Sequence, residues 1–211
     1  MAAFTPATTA DRDDAAAFAG RAARWDNQGP VRLRADGDLV RLWATTPFDT
    51  LATRAVTGTL EPRDVTVHAG NLLSALAVVR DGTVDPGPAV DAAWRAQLPP
   101  VAGWVAVDTI PAEVIGRLSD DGVARARANP GPAGGAGTAL LDSEVMTVQG
   151  NGMSVVITMR TLFALSGMGF APPTRGEVIR ISATDAWVRL DARFGAVVRR
   201  RHAALPLLFA L

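Results

Sequence analysis

The phrase VRLRADGDLVRLWA, residues 31–44, is echoed by IRISATDAWVRLDA, residues 179–192. The offset is constant at 148: Arg32, Ala35, Val40, Arg41, Leu42 and Ala44 return as Arg180, Ala183, Val188, Arg189, Leu190 and Ala192. Both copies alternate apolar and polar residues around a short polar break, and the Asp36-Gly37 pair between alternating runs is a strong hairpin signal. A chain that writes one hairpin near each end is constrained to a fold with two related β layers. The flanks extend the echo. TTADRDDAAAFAGRAARW predicts a helix over 8–25, with acids in its first turn and Arg21 and Arg24 in its last, the order a helix dipole favours. TLATRAVTG follows the first hairpin as a third strand. In the second copy RTLFALSGMGF predicts the helix, 177–183 and 186–193 the hairpin, and GAVVRRR the third strand. Each copy therefore reads as a helix followed by a three-stranded meander.

A second phrase recurs. VTVHAGNLLSAL (65–76), VAVDTIPAEVIGRL (105–118) and VVITMRTLFAL (155–165) each run from an alternating strand into an apolar helix. Such a unit buries one sheet face under one helix, and several side by side give helices on one face of an antiparallel-rich sheet. The predicted class is α+β, built of pseudo-repeated helix-plus-meander units. SEVMTVQGNGMSVVITM adds two strands around an Asn-Gly turn, residues 89–98 a short helix ending at Pro99-Pro100, and Gly122 a stop just past the helix that begins after Pro111. ANPGPAGGAG is the one low-complexity stretch. The expected division is an N-terminal half over 1–127, a Gly/Pro-rich loop over 128–139 and a C-terminal half over 140–211, or one continuous domain containing that loop.

Composition removes several chemistries. The 211 residues contain no Cys, no Lys and no Tyr, which excludes disulfides, thiol nucleophiles, Schiff bases and the Walker A lysine. The 21 basic residues, all Arg, balance 21 acids, so net charge supports neither nucleic acid nor an anionic membrane as partner. MAAFTPATTADRDD has no basic, apolar signal pattern, and the tail AALPLLFAL is far shorter than a membrane span, so the expected location is cytoplasmic with no membrane association. That tail is expected to pack on the core or to serve as a docking peptide.

Residues 16–80, through AARW, GPVRLRADGDLVRLWATTPFDTLATRAV and RDVTVHAGNLLSALAVV, resemble one half-domain of a bacterial DNA sliding clamp. RLWATTPFD and VTVHAGNLLSAL stand where that family ends its second strand and leads into its second, leucine-rich helix. The resemblance covers about a third of the chain. It implies a clamp-like fold, and for the family's function it implies helices that face DNA; the first helix here sets Arg12, Arg21 and Arg24 against Asp11, Asp13 and Asp14. The whole chain also resembles a family of GC-rich bacteria marked by PFD-LATR-V-G and R-LFAL--GF phrases, which implies no activity.

Candidate chemistry is sparse. His68, where a strand meets a helix, and Asp108 are candidate polar groups of a pocket; His202 follows three arginines. The carboxylate groups Asp11/Asp13/Asp14, Asp120/Asp121 and Asp142/Glu144 fit a helix start, a helix end and a strand entrance, and no HExxH, GxSxG or phosphate-cradle motif occurs. No catalytic residue, cofactor or metal is expected. Arg32, Arg34 and Arg41, echoed by Arg180, Arg189 and Arg193 and extended by Arg199, Arg200 and Arg201, are candidates for bidentate contact with phosphates or a partner's carboxylates. The competing reading is a solvent face paired with Asp36, Asp38, Asp185 and Asp191. The expected function is a non-catalytic binding or scaffold protein with a protein partner or itself. The alternatives are a small-molecule-binding protein or enzyme with a pocket between the halves, and a sliding-clamp-like nucleic-acid-associated protein.

Overall fold

Two hairpins in one register anchor the architecture. The structure, a computed structural model, describes residues 1–131, 136–172 and 174–201. His202 and the apolar tail lie outside the described residues. The elements run β1 (Ala3–Pro6), α1 (Thr9–Trp25), β2 (Pro30–Asp36), β3 (Leu39–Thr45), β4 (Leu51–Glu61), β5 (Asp64–His68), α2 (Ala69–Val78), β6 (Val105–Pro111), α3 (Ala112–Ala128), α4 (Thr138–Leu141), β7 (Glu144–Gly150), β8 (Met153–Thr158), α5 (Met159–Gly167), β9 (Val178–Ala183), β10 (Trp187–Ala192) and β11 (Gly195–Arg200).

The echo is structural. In the β2–β3 hairpin Arg32 faces Trp43, Leu33 faces Leu42 and Ala35 faces Val40; in the β9–β10 hairpin Arg180 faces Asp191, Ile181 faces Leu190 and Ala183 faces Val188. Every pair is its counterpart moved by 148. The third strand departs from this offset. Val40 pairs with Val56 while Val188 pairs with Arg199, an offset of 143, because the chain between the paired residues is five residues shorter in the second copy.

One sheet holds both copies. Eight strands run in the order β5-β2-β3-β4-β11-β10-β9-β6, with β1 pairing the far end of β4. The order reads alike from either end about the β4–β11 seam. That seam is made by Leu51, Ala52 and Thr53 facing Val198, Val197 and Ala196. β6 and α3 pair and pack with β9 and α5 of the second copy, as β5 and α2 do with β2 and α1 of the first.

Period-2 alternation sends Val31, Leu33, Val40, Leu42 and, in the second copy, Ile179, Ile181, Val188 and Leu190 to the face that the helices cover. α1 offers that face Ala15, Phe18, Ala19 and Ala22, and α5 buries Thr161 through Leu165. α1 begins with a reciprocal cap. The Thr8 hydroxyl donates to Asp11 at 2.6 Å and accepts the Asp11 N–H at 3.1 Å. The other recurring units, β5–α2, β6–α3 and β8–α5, pass straight from strand to helix with no side-chain cap. The Asn-Gly turn expected between β7 and β8 is present, with φ of 49° at Asn151 and 76° at Gly152, the pair of positive values that a type I′ hairpin needs.

Two local expectations are corrected. The chain does not stop at Gly122; α3 continues to Ala128. Gly122 is a packing residue, since a Cβ there would stand 2.5 Å from Met159 Sδ and 2.9 Å from Phe163 of α5. Residues 89–98 form no helix beyond one 3-10 turn at Asp91–Ala93. Instead, after Val84 has paired with Phe4 of β1, residues 94–104 are stretched as a strap over the sheet face away from the helices. Trp94, Ala96, Leu98 and Trp104 of the strap pack on Trp43, Leu51, Trp187 and Val198. The flanking prolines and the distance between β5 and β6, at opposite edges, both favour an extended crossing.

Candidate functional site

The arginine set divides by strand parity. Arg32, Arg34, Arg41, Arg180, Arg189 and Arg200 lie on the strap face, Arg199 and Arg201 alternate to the other side, and Arg193 follows β10. Most are held within the chain. Arg32 forks Asp64 at 2.7 and 2.8 Å and lies 6.0 Å from the centre of the Trp94 ring; the Asp64 hydrogen bonds hold its guanidinium above its usual value. Arg34 reaches the same carboxylate at 3.1 Å. Arg41 is 3.6 Å from Asp36. Arg189 grips Asp191 through Nε and Nη2 and lies over Trp104. Arg193 pairs with Glu177 at 2.5 Å, and Arg199 donates to the Thr158 hydroxyl at 3.2 Å. Arg200 donates to Gln97 of the strap and stacks on Trp187, while Arg201 donates to the Thr184 carbonyl at 2.9 Å. Arg180 is exposed and has no ion pair among the described residues.

Of the four carboxylates expected to answer these arginines, Asp36 and Asp191 do so, whereas Asp38 and Asp185 sit at exposed turn tips. Asp64 and Glu177 take the vacant roles, brought in by tertiary packing. Sequence reasoning missed Arg54. It faces Leu42 in the apolar register of β4, donates to Asp14 of α1, and donates to the Arg193 carbonyl at 3.0 Å. A charged residue at an inward position was the signal for it.

The two pocket candidates are not brought together. His68 ends β5 and Asp108 lies in β6, at opposite edges of eight strands, roughly 30 Å apart at ordinary strand spacing. His68 Nδ1 is 2.6 Å from the Gln28 carbonyl, and Asp108 accepts the N–H of Thr109 at 2.7 Å. Among the described residues no three His, Cys, Asp or Glu side chains gather where they could hold a metal. Asp142 is forked by Arg160 at 2.6 and 3.3 Å, which holds its carboxyl below the usual range. Asp120 and Asp121 are exposed within α3 rather than at its end.

Aromatic rings pack across the seam between the copies. Phe18 of α1 stacks on Phe170 at 6.3 Å, and Trp25, Phe48 and Phe163 form an edge-to-face chain at 6.0 and 5.7 Å from the first copy to the second. Gly167 lets Trp25 approach α5, for a Cβ there would lie 2.5 Å from the indole. Open spaces remain beside these contacts: a recess of about 460 Å³ is lined by Thr46, Asp49 and Leu51 of the first copy and by Val198, Arg199 and Arg200 of the second. Another recess of about 140 Å³ sits under the strap, between Arg34, Arg41, Arg189, Trp43 and Trp104. An apolar groove of about 780 Å³ on the helix side is lined by Phe48, Val123, Ala126 and Phe163.

A sheet read alike from both ends, with helices on one face of each copy, defines a fold of the sliding-clamp type. The chain is similar in structure to the DNA polymerase sliding clamp of Caulobacter crescentus (TM-score 0.60, 15% identity, 98% of this chain and 67% of that one). It is also similar to the sliding clamp of Bacillus subtilis (TM-score 0.61, 14% identity, 98% and 66%) and to the DNA polymerase III subunit beta of Pseudomonas aeruginosa (TM-score 0.58, 12% identity, 98% and 66%). It spans about two thirds of the length of each, and likeness at these identities shows the fold alone. No curated protein matches by sequence. The chain belongs to the family described as Domain of unknown function (DUF8185), whose model matches residues 99–204, and residues 1–96 match the model described as Domain of unknown function (DUF8010). The expected α+β class, the clamp-like resemblance and the membership of a family without assigned activity are thus all found. No helix among the described residues is long and apolar enough to cross a membrane.

Proposed function

We propose that this chain is a non-catalytic binding or scaffold protein on a clamp-like fold, with another protein as partner. The packing of the seam supports this reading: aromatic rings and paired strands hold the two copies together, and the recess of about 460 Å³ left beside the strap, between Thr46, Asp49 and Thr50 of the first copy and Arg199, Arg200 and Arg201 of the second, brings in a single carboxylate and no histidine. Both sheet edges are blunted. Thr66 of β5 donates its N–H to Asp91 and accepts the Val90 N–H, each at 2.7 Å, and the Ala106 carbonyl of β6 accepts from Asn151 at 2.7 Å. These contacts support a separate protein partner over edge-to-edge self-association.

The clamp-like nucleic-acid reading is the rival, and charge on the helix layer weighs against it. α1 carries three Arg and three Asp, α3 three Arg, two Asp and one Glu, and Arg160 of α5 is forked by Asp142. Duplex DNA held by such a layer would gain little counterion release. The test is a gel-retardation assay of the full chain on duplex DNA at about 50 and 200 mM salt, paired with affinity purification from the native cell. A stoichiometric protein partner and no retarded band support the proposal. A band that weakens as salt rises, with no protein partner, overturns it in favour of the nucleic-acid reading.

A further inference from the structure

We propose that the recess beneath the strap binds a small oxyanion, a phosphate or carboxylate group, between Arg34, Arg41 and Arg189. This goes beyond the scaffold reading and stands on separate observations. Arg34 and Arg41 face each other directly across the β2–β3 hairpin, on the strap side. Side chains so placed have their Cβ atoms about 5 Å apart, and like charges there repel. The counter-charge within the chain is thin. Asp64, 3.1 Å from Arg34, is already forked by Arg32. Asp36 stands 3.6 Å from Arg41, beyond hydrogen-bond reach, although three quarters of the Arg41 side chain is buried. Arg189 spends Nε and Nη2 on Asp191, which leaves Nη1 without a partner among the described residues.

The second copy acts as an internal control. Arg189 is the counterpart of Arg41 at the offset of 148, but it faces Ser182 rather than a second guanidinium. The hairpin therefore does not require facing arginines. They occur only where the strap closes over the first copy, and the strap side then adds Arg189 to the same recess. Trp43 and Trp104 wall the space and lower its dielectric, which strengthens a guanidinium–oxyanion contact. Its volume of about 140 Å³ admits a group the size of a few water molecules. Phosphate or a short carboxylic acid fits this room, either free or as the head of a longer ligand.

The test is a titration of the full chain with inorganic phosphate, at ionic strength held constant with chloride, read by thermal unfolding and by tryptophan emission. A parallel succinate titration separates a phosphate from a carboxylate ligand. The proposal expects at least one anion to raise Tm saturably above the chloride baseline. Arg41→Gln should weaken that binding about tenfold or more, as expected for loss of a charged hydrogen bond, while leaving the anion-free protein at least as stable because the facing charges are gone. Arg125→Gln, on the exposed side of α3, should bind as the parent does. Should Arg41→Gln not fold, Arg189→Gln carries the same comparison. The absence of a saturable effect with either anion overturns the proposal, as does undiminished binding by the folded variant.

Discussion

Asp11 shows how much one side chain can tie together. Its carboxylate accepts at 2.6 Å from the hydroxyl of Thr8, the residue that caps α1, and at 2.8 Å from the Thr57 N–H, which fixes that helix to β4. Burial pushes its pKa up, but these hydrogen bonds outweigh burial and hold it below the usual 3.8. A depressed carboxyl contributes stability that is present above its unfolded value and lost as pH falls through the folded one. Asp11→Asn should lower stability at neutral pH by about 1 kcal/mol, and its Tm should fall less than the parent's between about pH 5 and pH 2. Thermal melts of both proteins across that range check the sign; a parallel fall would show that the carboxylate is not the titrating group. Gly167 makes a second point at this scale. Gly167→Ala places a methyl against Trp25 at the seam and should cost roughly 1–3 kcal/mol in denaturant unfolding; a neutral result would mean the indole moves aside freely.

Among elements, the hairpins were legible and the strap was not. Alternation with a period of two specifies which face each strand residue takes, so VRLRADGDLVRLWA and its echo announce their own register, and the arginines their common outward face. The three strand-into-helix units carried the same kind of signal. The strap has none. Trp94, Leu98 and Trp104 follow no period, because their contacts are set by the sheet they cross rather than by a helix or strand of their own. The arginine partners were legible only where they lay in the same hairpin, as Asp36 and Asp191 do; Asp64 and Glu177 arrive through folding at distance. Trp94 offers a test of the strap. Its indole Nε1 is buried with no hydrogen-bond partner, yet its ring covers Arg32. Trp94→Phe should therefore leave stability unchanged or raised, whereas Trp94→Ala should lower it by about 3 kcal/mol or more and speed proteolysis within the strap. Equal losses in both variants would mean that the indole N–H is satisfied.

At the scale of the molecule, one apolar cluster runs through both copies, from Phe4 and Phe18 to Leu190 and Val197, and the β4–β11 pairing makes two meanders into one sheet. Arg54 adds a polar tie, joining α1 to β4 and to the turn after β10. Neither copy covers its own inner edge. β4 without β11 would expose Leu51, Ala52 and Thr53, and α5 without α1 would bare the face that now meets Trp25 and Phe48. Cooperativity across the seam follows from this mutual cover and underlies the scaffold reading, since a binding platform of this kind stays whole while it holds a partner. The direct measurement is native-state hydrogen exchange on the full chain. The most protected amides of the β2–β3 and β9–β10 hairpins should open with one common free energy, equal to that of global unfolding. Protection that persists in one hairpin after the other has exchanged would contradict the account, for the two halves would then be neighbours rather than a single folded unit.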